Sequence, residues 1–218
     1  MRWYRGGAGA GTLWLLLAAL ATACTRARTS GAAATPPLEA LYRARTDSAR
    51  MRFTAADAHF MTGMIAHHGQ ALVMAALAPT HGASPAVQTL CARIINAQKD
   101  EIATMQQWLR DRRQAVPEVH VDGLNLMVHG AGEQHRHMPG MLTQSQLEEL
   151  DRARGPTFDR LFLTYMIQHH QGAVAMVHTL FGTDGAGQDE EAFKLASDIQ
   201  ADQLSEIARM KLMLSELP

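Results

Sequence analysis

Methionine-flanked pairs of adjacent histidines occur twice in this chain. Met64-Ile65-Ala66-His67-His68 returns as Met166-Ile167-Gln168-His169-His170, an offset of 102 residues that also carries Met74 onto Met176, Phe60 onto Phe162 and Asp57 onto Asp159. Imidazole and thioether are the donors that suit copper, above all Cu(I). Exposed thiolates are lost to oxidation outside the cytosol, whereas Met and His persist there. Coordination needs such donors on one face of a rigid element. On a helix, residues three, four and seven apart share a face. Asp57, Met61, Met64, His68 and Ala71 then form one stripe, and Phe60, Met64, His67, Ala71 and Met74 its neighbour. The second copy repeats the first stripe as Asp159, Leu163, Met166, His170 and Ala173. Small Ala71 and Ala173, one turn beyond the imidazoles, leave room for a side chain or an ion from a facing helix.

Four long helices are expected to carry these residues. Thr54-Ala55-Ala56-Asp57 is a capping box opening a helix to about Ala78, stopped by Pro79, and Ser84-Pro85 opens a second to about Arg113. Pro156 starts a third, to about Leu180, and Asp189 a fourth, to about Glu216. The second and fourth also match, Gln98, Glu101, Ile102, Met105 and Leu109 falling onto Gln203, Glu206, Ile207, Met210 and Leu214. The repeat unit is therefore a helical hairpin, one over about 54–113 and one over about 143–217, and two hairpins make an all-α four-helix bundle. No run sustains a two-residue alternation, so little or no sheet is expected. The 114–142 linker is too long for a simple turn. It holds His120, Met127, His129, His135, His137, Met138 and Met141, and Thr143 to Gln146 then caps a short helix to about Arg152.

The facing stripes Gln98, Glu101, Met105, Trp108 and Gln203, Glu206, Met210, Met213 leave the histidines two uses. In a metal-free helical interaction module, His68 would bond Glu101 and His170 would bond Glu206, a buried network that fixes helix register. In a metal-binding protein, Met64, Met74, Met166 and Met176 would join one imidazole from each pair, His67 or His68 and His169 or His170. Glu101 and Glu206, with Asp57 and Asp159, would then orient ligands from outside the coordination sphere. His135, His137, Met138 and Met141 would form an accessory capture segment. A di-iron centre calls for Glu-x-x-His motifs, and none occurs in the chain. An iron or manganese oxidoreductase would have to use Asp57, Glu101, Asp159 and Glu206 as ligands. Zinc, with two His and one Glu per hairpin, would keep an open position. Copper is the expected cofactor, with iron and zinc as alternatives, and buffering or transfer of the ion the expected role.

The ends place the chain in the cell envelope. Met1–Ala23 has the form of an export signal: Arg2 and Arg5, the apolar run Leu13 to Leu20, then Ala21-Thr22-Ala23. Cys24 follows at once and is a candidate for lipidation, which would bring a membrane into contact through the anchor. Leu20 lies four residues before Cys24 rather than three, so simple cleavage after Ala23 stays open. Residues 24–37 form a flexible tether. The remaining 38–218 form a single helical bundle domain, and the 195 residues left after cleavage suffice for one core. Without Arg2 and Arg5 the balance is 18 Lys+Arg against 21 Asp+Glu, no footprint for nucleic acid. Cys91, between Leu90 and Ile94, is expected to be a buried, inert thiol.

The two Met-Ile-x-His-His blocks, His137-Met138-Pro139-Gly140-Met141-Leu142-Thr143 and Phe158-Asp159-Arg160-x-Phe162-Leu163 resemble the bacterial exported family known as domain of unknown function 305, over about Thr54 to Leu214. The resemblance implies a ferritin-like fold and an association with periplasmic copper. It marks Met64, His67, His68, Met74, Met166, His169, His170 and Met176 as motif residues, with Met138 and Met141 in the linker.

Overall fold

Three of the four long helices begin where a side chain can answer their first free backbone N–H groups. In the computed structural model, which describes residues 37–130 and 138–217, helix α2 spans Ala55–Ala76, and Thr54 and Asp57 close its capping box. Helix α3 (Pro85–Asp111) is capped by Ser84 and helix α6 (Glu190–Glu216) by Asp189. Helix α5 (Pro156–Phe181) opens on proline at its first position, where the missing N–H costs nothing. Two shorter helices, α1 (Leu38–Arg50) and α4 (Gln144–Arg152), complete the set, α4 behind a Thr143–Gln146 capping box. Helix α1 was not among the expected elements. The signal segment, Cys24 and the tether up to residue 36 lie outside the described residues, as do His135 and His137.

Residues 42–218 form one unit that contains all four long helices. Contacts join α2 to α3, α5 to α6, α2 to α5 and α3 to α6, an all-α helical bundle in which each hairpin packs on its copy. Helix α2 is buried on nearly every face because α3, α5 and a small sheet all cover it. Asp57 and Asp159 hold this arrangement reciprocally. Asp57 on α2 accepts from Gly187 N at 2.7 Å in the α5–α6 loop, and Asp159 on α5 accepts from Ser84 N at 3.2 Å in the α2–α3 loop. These carboxylates bracket loops, and the hydrogen bonds recorded for them go to backbone and to Thr54 rather than to imidazoles.

The linker is partly strand, and its two strands form the only sheet among the described residues. Strands β1 (Glu118–Asp122) and β2 (Asn125–His129) pair antiparallel, with Val119 opposite Val128 and His120 opposite Met127. Gly123 takes φ +56°, the left-handed conformation a two-residue hairpin turn requires. Val119 and Leu126 pack on α2 at Gly69, where a Cβ would lie 2.9 Å from Leu126 Cδ1 and 3.0 Å from Val119 Cγ1. Cys91 is buried, and burial, aided by the Asp159 carboxylate, pushes its thiol up to about 12. It is an unreactive core residue.

Candidate metal centre

The core is not continuous. One apolar cluster gathers Met74, Leu90, Ile94, Phe158, Phe162 and Met166. The other gathers Phe60, Met64, Ile102, Met105, Ala173 and Val177. Between them on α2 and α5 lie the four histidines, and between them on α3 and α6 lie Gln98 and Gln203, all six buried. The helical hairpins thus enclose a polar layer sandwiched between two oily ones. Inside it the histidines part company. His68 Nε2 donates to Glu101 Oε2 at 2.7 Å, and His170 Nε2 donates to Glu206 Oε2 at 2.7 Å, toward the edge of the bundle. His67 and His169 turn inward instead and meet across the α2–α5 seam with ring centroids 3.9 Å apart.

Met138 to Leu142 crosses this seam as a strap. Gly172 on α5 lets it touch down: a Cβ there would sit 1.9 Å from Pro139 O. Gln70 clamps its far end, donating to Leu142 O at 3.0 Å and accepting from Leu142 N at 2.7 Å. So placed, the Pro139 carbonyl lies 3.0 Å from His67 Nε2. A carbonyl oxygen only accepts, so Nε2 carries the hydrogen. Burial, and next the neighbouring His68 charge, pushes His67 down to about 3, so the ring is neutral and Nδ1 keeps a bare lone pair. Burial likewise holds His169 well below its ordinary value, the charges of His67 and His170 adding to the effect. Neither ring nitrogen of His169 has a hydrogen-bond partner, nor has Nδ1 of His67, His68 or His170, nor the Gln98 amide, nor Gln203 Oε1. Each such buried group costs about 1–3 kcal/mol.

Residues 57–214 match the family described as Domain of unknown function (DUF305). The chain belongs to the DUF305 family. Among solved structures it resembles a DUF305 fragment from Deinococcus radiodurans, at 28% identity and TM-score 0.62 over 76% of this chain and 99% of that one. A DUF305 protein from Streptomyces coelicolor follows at 27% identity and TM-score 0.60, over 74% and 93%. CopM in its Cu(I)-bound form is 29% identical at TM-score 0.54, over 73% and 95%, and is also known in Cu(II)-bound, silver-bound and apo forms. Comparison with curated proteins returns no match.

Within this DUF305 chain the other residues marked by the sequence fall in different surroundings. Met64, Met74 and Met166 are fully buried, one turn or two from the imidazoles and packed in the apolar clusters. Met176 is half-buried and, like Met138, packs beside Gly63, while Met141 lines a cavity of about 670 Å³ with Gln70, Asn125 and Met138. No three His, Cys, Asp or Glu side chains gather to hold a metal among the described residues. Gly172, Gln98 and Gln203 belong to the centre but were not singled out as site residues. The signal for Gly172 lay in the repeats themselves: Gly69-Gln70 in the first copy becomes Gln171-Gly172 in the second. The reversal puts glycine under the hairpin on α2 and under the strap on α5.

The depressed histidines fix a pH dependence. At neutral pH both folded and unfolded imidazoles are neutral. Below the ordinary value of 6.5 the unfolded chain takes up protons that buried His67 refuses until about pH 3. Stability of the metal-free protein is therefore present above pH 6.5 and lost as pH falls toward 3, at about 1.4 kcal/mol per unit for each such histidine. Urea midpoints from pH 7 to 4 check this. A slope no steeper in the native protein than in a His67→Leu/His169→Leu variant would contradict it.

Proposed function

We propose that this protein holds copper as Cu(I) in the cell envelope, buffering it or passing it on. The supporting observation is the meeting of His67 and His169, two neutral, fully buried imidazoles with bare nitrogens in contact across the seam between the repeats. Neutral imidazole needs no proton displaced before it binds an ion. Met64 and Met166, each one turn from its imidazole, supply soft donors on either side of the layer. The chemistry of this set fits Cu(I), whose partners are thioether and imidazole, better than non-haem iron, whose usual set adds a carboxylate to two imidazoles. The carboxylates of Glu101 and Glu206 are already engaged by His68 and His170 and serve to fix those rings. The likeness to CopM, known with Cu(I), Cu(II) and silver, supports the same reading.

An envelope location follows from the signal-like Met1–Ala23 and accords with the Streptomyces relative, which is described as secreted. Cys24 would provide the lipid anchor. Competition for Cu(I) against a chromogenic chelator tests the function. Untagged protein is expected to hold Cu(I), and His67→Ala/His169→Ala to hold at least one equivalent fewer. Unchanged stoichiometry in the double variant would remove the assignment.

A further inference from the structure

His59, Gly63 and His67 stand four residues apart in turn on α2, so one stripe of the helix runs from an exposed imidazole to a buried one. Gly63, between them, leaves a gap that two thioethers fill. A Cβ at Gly63 would lie 3.1 Å from Met138 Sδ, on the strap, and 3.4 Å from Met176 Cε, on α5. Around them is a cavity of about 260 Å³ bordered by His59, Phe60, Met138, Met176 and Leu180. Among the described residues its walls include no carboxylate and no Lys or Arg, and the only oxygen-bearing side chains are those of Thr179 and Thr183. Hard cations such as Ca²⁺ and Mg²⁺ demand oxygen donors, and an anion would demand a positive partner. Two sulfurs and one imidazole in an apolar recess suit a soft, weakly hydrated monovalent cation. Pro139 borders the same cavity and its carbonyl bonds His67, so the recess adjoins the buried layer through one residue.

We propose that this cavity is a second soft-cation site, in which the thioethers of Met138 and Met176 and the imidazole of His59 take Cu(I) or Ag(I). The proposal rests on the reading of the protein as a carrier of such ions and extends it from the buried pair to the mouth of the seam. Packing alone would account for methionines filling a gap, since the flexible thioether does so readily. It gives no reason for sulfur over carbon, and that difference is measurable.

Full-length protein carrying ¹³C-methyl methionine and ¹⁵N histidine is titrated with Ag(I) and followed by NMR. The ε-methyl signals of Met138 and Met176 and the ring nitrogens of His59 are expected to shift together. Met138→Leu/Met176→Leu, which conserves shape, is expected to take up one Ag(I) fewer, and His59→Ala to weaken that equivalent by roughly tenfold or more. Methyl signals that stay still while His67 and His169 respond would overturn the second site and leave the buried one standing. Methyls that respond while the buried pair does not would keep this site and remove the other. Silence from both would end both.

Discussion

Gly172→Ala is expected to destabilise the protein by about 3 kcal/mol, although the same change in an ordinary helix interior stabilises by roughly 1 kcal/mol. The new Cβ would meet Pro139 O at 1.9 Å, Pro139 C at 2.4 Å and Gly140 Cα at 2.7 Å, all backbone atoms without a side-chain rotation to escape by. The strap must lift, breaking the His67–Pro139 bond and pulling on the Gln70 clamp. His67 then loses the partner that fixes its tautomer, and water reaches the layer, so Cu(I) retention should fall with stability. Gly63→Ala is the control. Its Cβ would meet only the flexible ends of two side chains, Met138 Sδ at 3.1 Å and Met176 Cε at 3.4 Å, and should cost under about 1 kcal/mol. Urea denaturation of the two variants measures the contrast. Equal effects, or a stabilised Gly172→Ala, would show that the strap does not bear on α5 as described.

His169→Leu should do two things of opposite sign. Cu(I) affinity is expected to drop by about 100-fold or more, the loss of one of two nitrogen ligands. The metal-free protein is expected to gain about 1–2 kcal/mol, because two buried nitrogens without partners disappear and leucine fills a similar volume. Functional sites commonly trade stability for chemistry in this way. If the imidazoles served only to fix helix register, the sign would reverse: the apo protein would weaken and no ion would be lost. Chelator competition and apo urea midpoints on the same variant separate these outcomes. His68 offers no such contrast, since its bond to Glu101 is required whether or not a metal binds.

Much of the scaffold was legible because its signals are local. Thr54, Ser84-Pro85, Pro156 and Asp189 set the starts of α2, α3, α5 and α6, with side-chain caps at Thr54, Ser84 and Asp189 and a first-turn proline at Pro156. The hairpin was not read, although Asp122-Gly123 between Val119-His120-Val121 and Leu126-Met127-Val128 is a turn signal. Three alternating residues on each side are too few to stand out from a loop. Which imidazole of each pair turns inward was closed to sequence for another reason. Neighbouring helical residues point about 100° apart, and only the placement of α5 and α3 around α2 decides which direction is the seam. The strap left a single trace in the sequence, the exchange of Gly69-Gln70 for Gln171-Gly172. Gly140 and Gly172 touch across 32 positions of chain, and no local pattern announces such a contact. Asp57 and Asp159 show the converse: their repetition was visible, but it encodes the loop brackets that let one hairpin hold the other.

Crystals of the Cu(I)-loaded protein, measured on both sides of the copper absorption edge, would locate the ion without assumption. An anomalous peak within bonding distance of His67 Nδ1 and a ring nitrogen of His169, inside the layer between the two apolar clusters, is the expected result. Copper found only at surface residues, with both buried imidazoles unchanged, would contradict it.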